Sequence, residues 1–254
     1  MKKNILLYMS LALCLFAACK KDDPEPPGGN NPVHFLIRET DDTGYYADYT
    51  YDSQGRLTQV EGVDFLVTFV YEPSKVISDL TYDNGAGLID TTHRVFALQN
   101  GFASEVTRTY SDGTPKRRTV YERDAANRIL KETQYDADGF TTGIITNEYD
   151  ATGNLFKSTR TSKSGNSTIT SIVLNEYVGN IAYTLHTGEE FWIPDPPYAL
   201  TKTTLTDVNG VEDSHTNYSY DKDTEGRIVK RTDKYFSTSS PSQNYTRANE
   251  YFYK

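Results

Sequence analysis

One phrase recurs along this chain and limits what it can become: a tyrosine, an acidic residue, a few turn-formers ending in glycine or asparagine, then a basic or polar residue and an aliphatic one. It stands at Tyr51-Asp52-Ser53-Gln54-Gly55-Arg56-Leu57, Tyr121-Glu122-Arg123-Asp124-Ala125-Ala126-Asn127-Arg128-Ile129, Tyr135-Asp136-Ala137-Asp138-Gly139-Phe140, Tyr149-Asp150-Ala151-Thr152-Gly153-Asn154-Leu155 and Tyr220-Asp221-Lys222-Asp223-Thr224-Glu225-Gly226-Arg227-Ile228. Each copy reads as a β-hairpin. Tyrosine closes the outgoing strand, the carboxylate accepts hydrogen bonds from turn amides, glycine or asparagine takes positive φ, and the last two residues open the return strand. Tyr121, Tyr135 and Tyr149 are fourteen residues apart, one strand plus one turn, so the middle of the chain is a regular meander. Asn-Glu-Tyr also recurs, at Asn147, Asn175 and Asn249. Asp83-Asn84-Gly85, Asn100-Gly101, Asp112-Gly113, Gly165-Asn166 and Asn209-Gly210 supply further hairpin signals.

Between the turns, apolar and polar residues alternate, as in Val63-Asp64-Phe65-Leu66-Val67-Thr68-Phe69-Val70-Tyr71. Twenty tyrosines favour pleated surfaces, and no helical periodicity is sustained past the first residues. The expected fold is all-β: a curled antiparallel β-meander, open or partly closed into a barrel-like sheet, of roughly fourteen or more strands. Both parities carry charge at Lys116-Arg117-Arg118-Thr119-Val120-Tyr121-Glu122-Arg123, which a lipid-facing strand would not tolerate.

The chain starts differently. Lys2 and Lys3 precede an apolar run from Ile5 to Phe16 and the small pair Ala17-Ala18 before Cys19, the order of a secretory signal. The run is shorter than the ~20 apolar residues that cross a bilayer. This segment resembles the lipobox of bacterial lipoproteins, which implies that Cys19 is acylated and becomes the first residue. Several acyl chains hold far more firmly than one, at about 0.8 kcal/mol per buried methylene. Lys20-Lys21-Asp22-Asp23-Pro24-Glu25 resembles the acidic export signal of Bacteroidetes lipoproteins, which implies outer-membrane anchoring facing the cell exterior, with a periplasm-facing location as the alternative. The domain expectation is therefore 1–18 signal peptide, 19–32 lipidated cysteine and Pro/Gly-rich tether, and 33–254 a single all-β domain. Cys14 leaves with the signal and Cys19 is consumed by lipid, so no thiol remains for a disulfide, a metal cluster or a nucleophile. The formal charge of −9 becomes −11 once Lys2 and Lys3 leave, which argues against nucleic acid as a partner and restricts membrane contact to the anchor.

Tyr-Asp-x-x-Gly-Arg-Leu resembles the YD repeat of rearrangement-hotspot and teneurin-type proteins, in which many such hairpins spiral into a large β shell. Here the copies are few, their intervals irregular, and the long array and self-cleaving core are missing, so toxin enclosure is not implied. The whole chain is similar to Bacteroidetes surface lipoproteins of unknown function that combine a lipobox, a short tether and a YD-like meander.

Candidate sites are sparse. Asp221-Lys222-Asp223-Thr224-Glu225-Gly226 imitates the first half of a calcium loop, but its twelfth position is Thr232 where a bidentate glutamate is needed, so an expanded hairpin turn is the expectation and no metal is assigned. His34, His93, His186 and His215 lack zinc spacing, and no serine sits in a Gly-x-Ser-x-Gly elbow. Neither an enzyme nor a cofactor is expected. The break in the repeat, from Gly188 to Tyr198, holds the single tryptophan; Phe191, Trp192 and Tyr198 could contact a glycan or protein, or Trp192 could pack as a lid over the open end of the sheet. Tyrosine ladders on the concave face are a second candidate surface. The functional expectation is a non-catalytic binding or scaffolding module. Its alternatives are an envelope polysaccharide hydrolase using a carboxylate pair or a purely structural assembly partner.

Overall fold

A computed structural model describes residues 35–83, 89–164, 167–182 and 198–253. The expected signal peptide, Cys19, the tether, Phe191 and Trp192 lie outside the described residues. The strands are β1 (Leu36–Asp41), β2 (Tyr46–Tyr51), β3 (Leu57–Gly62), β4 (Phe65–Glu72), β5 (Lys75–Asp83), β6 (Ile89–Gln99), β7 (Phe102–Tyr110) and β8 (Pro115–Arg123). They continue as β9 (Ile129–Tyr135), β10 (Thr141–Tyr149), β11 (Leu155–Ser164), β12 (Ser167–Ala182), β13 (Tyr198–Asp207), β14 (Glu212–Lys222), β15 (Ile228–Ser237) and β16 (Tyr245–Tyr253). Each pairs antiparallel with its chain neighbours, and β1 pairs with β16, so the meander closes into a sixteen-stranded barrel. The all-β expectation holds, and the sheet closes completely. No edge is left among these strands, which removes the pairing hazard of an open meander.

Closure follows from what the recurring phrase does. Asp52 Oδ1 accepts the amides of Gln54 and Arg56 at 2.8 and 3.0 Å, and its Oδ2 meets Arg56 Nε at 2.8 Å. Asp124 and Asp223 repeat this arrangement with Arg128 and Arg227; Asp150 does so with Asn154 in the arginine's place. Gly55, Asn127, Gly153 and Gly226 take positive φ at the fourth turn position, a conformation that costs a side-chain-bearing residue. The same turn is built at Asp41, Asp136 and Asp207, so Asn209-Gly210 is the end of a longer aspartate turn. The register shifts beside the four turns of this kind that join β2 to β3, β8 to β9, β10 to β11 and β14 to β15. Each shift adds a bulge and extra right-handed twist, and the twist accumulates until β16 meets β1.

Those four turns, the start of β1 and the end of β16 share one end of the barrel, the base. The other end is the mouth. Register fixes which side chains face in: Tyr49, Val60, Val67, Leu80 and Thr92 form one row across five neighbouring strands. The inner side of the base is packed. One cluster joins Leu57, Val60, Phe69, Val76, Phe96, Val106, Tyr121 and Ile129, and another joins Leu36, Ala199, Ile228 and Tyr251. Eight side chains of the first cluster at about 1.5–3 kcal/mol each, where large and apolar, make the base the main source of stability.

The outer wall carries charge around its girth. Arg38 pairs with Asp48, Arg118 with Glu105 at 2.7 Å, and His93 with Asp79 at 2.6 Å, all near mid-strand; Lys131–Glu122 and Lys157–Glu148 follow nearer the base. A lipid-facing barrel needs an outward apolar band about 25 Å tall, and a Lys or Arg at its midplane costs about 2–4 kcal/mol.

Candidate ligand-binding lumen

Alternation sorts the cations between the two walls. Arg94, Arg108, Arg117, Arg123, Arg160, Arg231 and Arg247 lie at inward register positions, whereas Lys131, Lys157, Lys202, Lys230 and Lys234 lie at outward ones. The planar guanidinium is less strongly hydrated than an ammonium and bonds in a fixed fork, so it suits an enclosed polar wall.

On the inner wall formed by β1, β15 and β16 each arginine faces a carboxylate. Arg231 grips Asp233 through Nε and Nη2 at 2.8 and 3.0 Å, and Arg247 Nε lies 3.6 Å from Asp41 Oδ2. Tyr49 donates to Glu39 at 3.3 Å. Burial pushes the Glu39 carboxyl up, against the pull of Arg231 and the Tyr49 hydroxyl. Burial would lower Arg231, but Tyr251 and Asp233 outweigh it and hold the guanidinium above its ordinary value.

The opposite wall is not balanced. Arg94, Arg108 and Arg117 stand directly across from one another on β6, β7 and β8, and Arg160 follows on β11. Arg94 donates to the buried Ser78 hydroxyl at 2.8 Å. Glu132 on β9 is the carboxylate that Arg108 and Arg160 share with Arg123; burial pushes it up while Arg160, Arg108 and Arg123 pull it down. Arg123 is committed to the base, where it donates to the Ala103 and Asn127 carbonyls at 2.9 and 2.7 Å.

Toward the mouth the inner face reaches solvent. Tyr82, Tyr110, Tyr245 and Ile169 are inward by register yet 46%, 42%, 50% and 61% exposed. Tyr235 stacks on Tyr245 at 5.1 Å, and Phe65 lies between Tyr45 and Tyr82 at 6.3 and 6.2 Å. Lys116, at a register shift in β8, sets its ammonium 4.6 Å from the Tyr110 ring and 3.3 Å from Thr92 Oγ1. Gln134, Ser162, Ser171, Ser214 and Thr216 extend the same face with amides and hydroxyls.

Of the sequence-derived site residues, Tyr198 is described: it opens β13 at the base, half-buried and paired with Ala182, far along the strands from the mouth. The aspartate proposed for a half calcium loop is used elsewhere, since both Asp223 carboxylate oxygens hold the turn. Sequence reasoning passed over the inward arginines. The available signal was parity: Arg94 and Arg108 each stand two residues from the fully buried Phe96 and Val106, on the same face of their strands.

The RHS repeat family matches residues 31–62, the stretch holding β1 to β3 and the first Tyr-Asp phrase. Among solved structures the chain is similar to a porin-like protein from Bacteroides uniformis ATCC 8492, at 16% identity and TM-score 0.60, over 88% of this chain and 99% of that one. It is similar also to a porin-like protein from Bacteroides vulgatus ATCC 8482, at 13% identity and TM-score 0.60, over 87% and 99% of the two chains. No curated protein matches the chain. At such identity the likeness is one of fold, and the barrel architecture is what these proteins share.

Proposed function

We propose that this chain is an envelope lipoprotein: residues 1–18 are removed, Cys19 is acylated in the outer membrane, residues 20–32 form a tether, and the barrel stands in water at the cell surface as a non-catalytic binding module. The mouth carries that reading. An inner face with exposed tyrosines, hydroxyls and arginines is open at one end of a closed barrel whose other end is packed and whose outer wall is charged. Sixteen-stranded barrels enclose space for solvent or ligand. A glycan is the preferred occupant, because flat aromatic faces beside hydrogen-bonding groups suit sugar rings. Phe191, Trp192 and Tyr198 are a second proposed contact, of which Tyr198 opens β13.

Two measurements test this. Alkyne-fatty-acid labelling in a Gram-negative host should mark the native chain and not Cys19→Ser, and protease added to intact cells should digest the barrel if it faces outward. A glycan array probed with the native chain, Tyr110→Ala and Trp192→Ala should show binding that Tyr110→Ala weakens. Loss with Trp192→Ala alone would move the site to the Phe191–Tyr198 segment, and a silent array would favour a protein partner.

A further inference from the structure

The geometry points to an oxyanion site at the mouth end of β7 and β8, where Arg108 and Arg117 hold the carboxylate or sulfate groups of an acidic oligosaccharide. This inference rests on the reading of the barrel as a binding module and names the ligand chemistry.

Arg108 and Arg117 are direct cross-strand partners, and Arg94 is the partner of Arg108 on the other side. Like charges directly opposite one another destabilise a sheet. Glu132 is the only carboxylate at an inward position on β7 to β11 among the described residues, one acid against Arg108, Arg117, Arg123 and Arg160. Arg108 Nε is also buried without an acceptor among the described residues. A buried donor in that state costs about 1–3 kcal/mol. A wall that retains both costs is organised around a group that relieves them, and a guanidinium pair suits a planar or tetrahedral oxyanion through forked, charge-assisted bonds.

A cleft of about 310 Å³ lies at the rim beside this pair. Arg108 and Arg117 enter its wall from the inner face, and Thr107, Thr109, Arg118 and Tyr135 from the outer face. Asp136, the acid beside it, has Oδ1 occupied by the amides of Asp138 and Phe140. The surroundings favour sugar over peptide as the carrier: Gln134, Ser162 and Ser171 line the neighbouring inner face, where a peptide would need apolar side-chain pockets.

The test is calorimetric titration of the mature lipidated chain in a non-ionic detergent, with a short oligogalacturonate, its uncharged methyl ester and sodium sulfate as probes. The oligogalacturonate should bind, more weakly as salt is added, and the ester should not. Arg117→Gln should lower affinity about tenfold or more, the loss of roughly one charge-assisted bond, while Arg38→Gln on the outer wall should change nothing. Arg108→Gln should abolish binding and raise the melting temperature, because it removes the repulsion and the orphaned donor; a merely structural arginine would lower it. Equal binding of charged and uncharged oligosaccharides, unaffected by Arg117→Gln, would overturn the oxyanion site and leave the binding module standing. Sulfate binding as tightly as the oligosaccharide would overturn the sugar assignment. Binding of none of the probes, with no gain in stability from Arg108→Gln, would overturn the inference entirely, and the glycan array then decides the wider reading alone.

Discussion

Tyr149 Oη donates to the carbonyl of Ile129 at 3.0 Å, which ties the end of one hairpin to the first residue after the preceding turn. The link recurs. Tyr51 reaches the Leu36 carbonyl at 2.7 Å, Tyr177 the Leu155 carbonyl at 2.9 Å, and Tyr253 the Ile228 carbonyl. In two places the Asn-Glu-Tyr repeat doubles it, since Asn147 and Asn175 donate to the same oxygens as Tyr149 and Tyr177, each at 2.9 Å. The arginine of the turn completes the arrangement: Arg128 stacks on Tyr149 at 4.8 Å and Arg227 on Tyr253 at 5.3 Å. The repeat is therefore a fastening between neighbouring hairpins as well as a turn signal.

Tyr149→Phe removes one hydrogen bond while Asn147 still satisfies the carbonyl, so a loss of about 0.5–1.5 kcal/mol is expected. Combining it with Asn147→Leu leaves the Ile129 oxygen with neither side-chain donor. The double variant should lose more than the sum of the singles, by an interaction of about 0.5–3 kcal/mol. Urea unfolding of the four proteins measures this, and strict additivity would show that the two donors act independently.

The turns were legible in sequence because their causes lie within seven residues: an aspartate, the amides two and four positions on, and a residue free to take positive φ. Asp41 and Asp207 were missed as members because no tyrosine precedes them. Closure was not legible, because pairing β1 with β16 depends on the summed twist of the bulges and on contacts some two hundred residues apart, such as Glu39 with Tyr251. Tyrosine's role was half legible. Its place at the strand end is local, whereas the carbonyl it reaches belongs to the preceding strand. The inward arginines were hidden for another reason: charge appears on both parities in β8, and only the register with β7 and β9 separates Arg117 from Arg118.

Asp124 should matter more than Asp136. Its carboxylate accepts two amides at 2.9 Å and Arg128 Nε at 2.7 Å, and Arg128 is in turn stacked on Tyr149. Asp136 accepts only the amides of Asp138 and Phe140, at 3.1 and 2.9 Å, among its described contacts. Asp124→Ala is expected to cost about 1.5–3 kcal/mol and Asp136→Ala less, since bonds to charged groups are the stronger class. Equal losses would mean that the arginine stack contributes nothing.

Acid should unfold this barrel late and steeply. The turn carboxyls of Asp52 and Asp207 are held below their usual value chiefly by the amides of Arg56 and Val211, and that of Asp41 by the Thr43 hydroxyl. At Asp124, Asp150 and Asp223 burial pushes upward, and the turn hydrogen bonds outweigh it. A depressed folded value means the unfolded chain takes protons first. That stability is whole above the ordinary aspartate value, about 3.9, and is lost as pH falls through the lower folded values. Burial pushes Glu39 and Glu132 the opposite way, so the folded state takes their protons first and gains stability as pH falls from neutrality toward about 4.3. The urea midpoint should therefore hold or rise slightly between about pH 7 and 5 and drop below about pH 4. Glu132→Gln should flatten the upper part of the profile only.

The outer wall makes the last prediction, which distinguishes a barrel standing in water from a membrane channel of the same strand number. A bilayer-spanning barrel loses about 2–4 kcal/mol for each Lys or Arg at its midplane, and here Arg38 and Arg118 stand near mid-strand on the outer face, each beside a carboxylate, with the His93–Asp79 hydrogen bond at the same level. Among the exposed apolar residues of that face, Phe252 stands opposite Arg38, and Leu174 between Lys157 and Thr204, while Val70 continues through Ile77 and Val95 as a row of three. Residues 20–254 produced without signal or lipid should stay monodisperse in detergent-free buffer, while the acylated chain should partition into vesicles through Cys19 alone. Insertion of the unacylated barrel into vesicles, or aggregation relieved by detergent, would show that the outer wall meets lipid after all. Ion pairs that are worth about 0–1 kcal/mol at a wet surface would then have to survive in hydrocarbon.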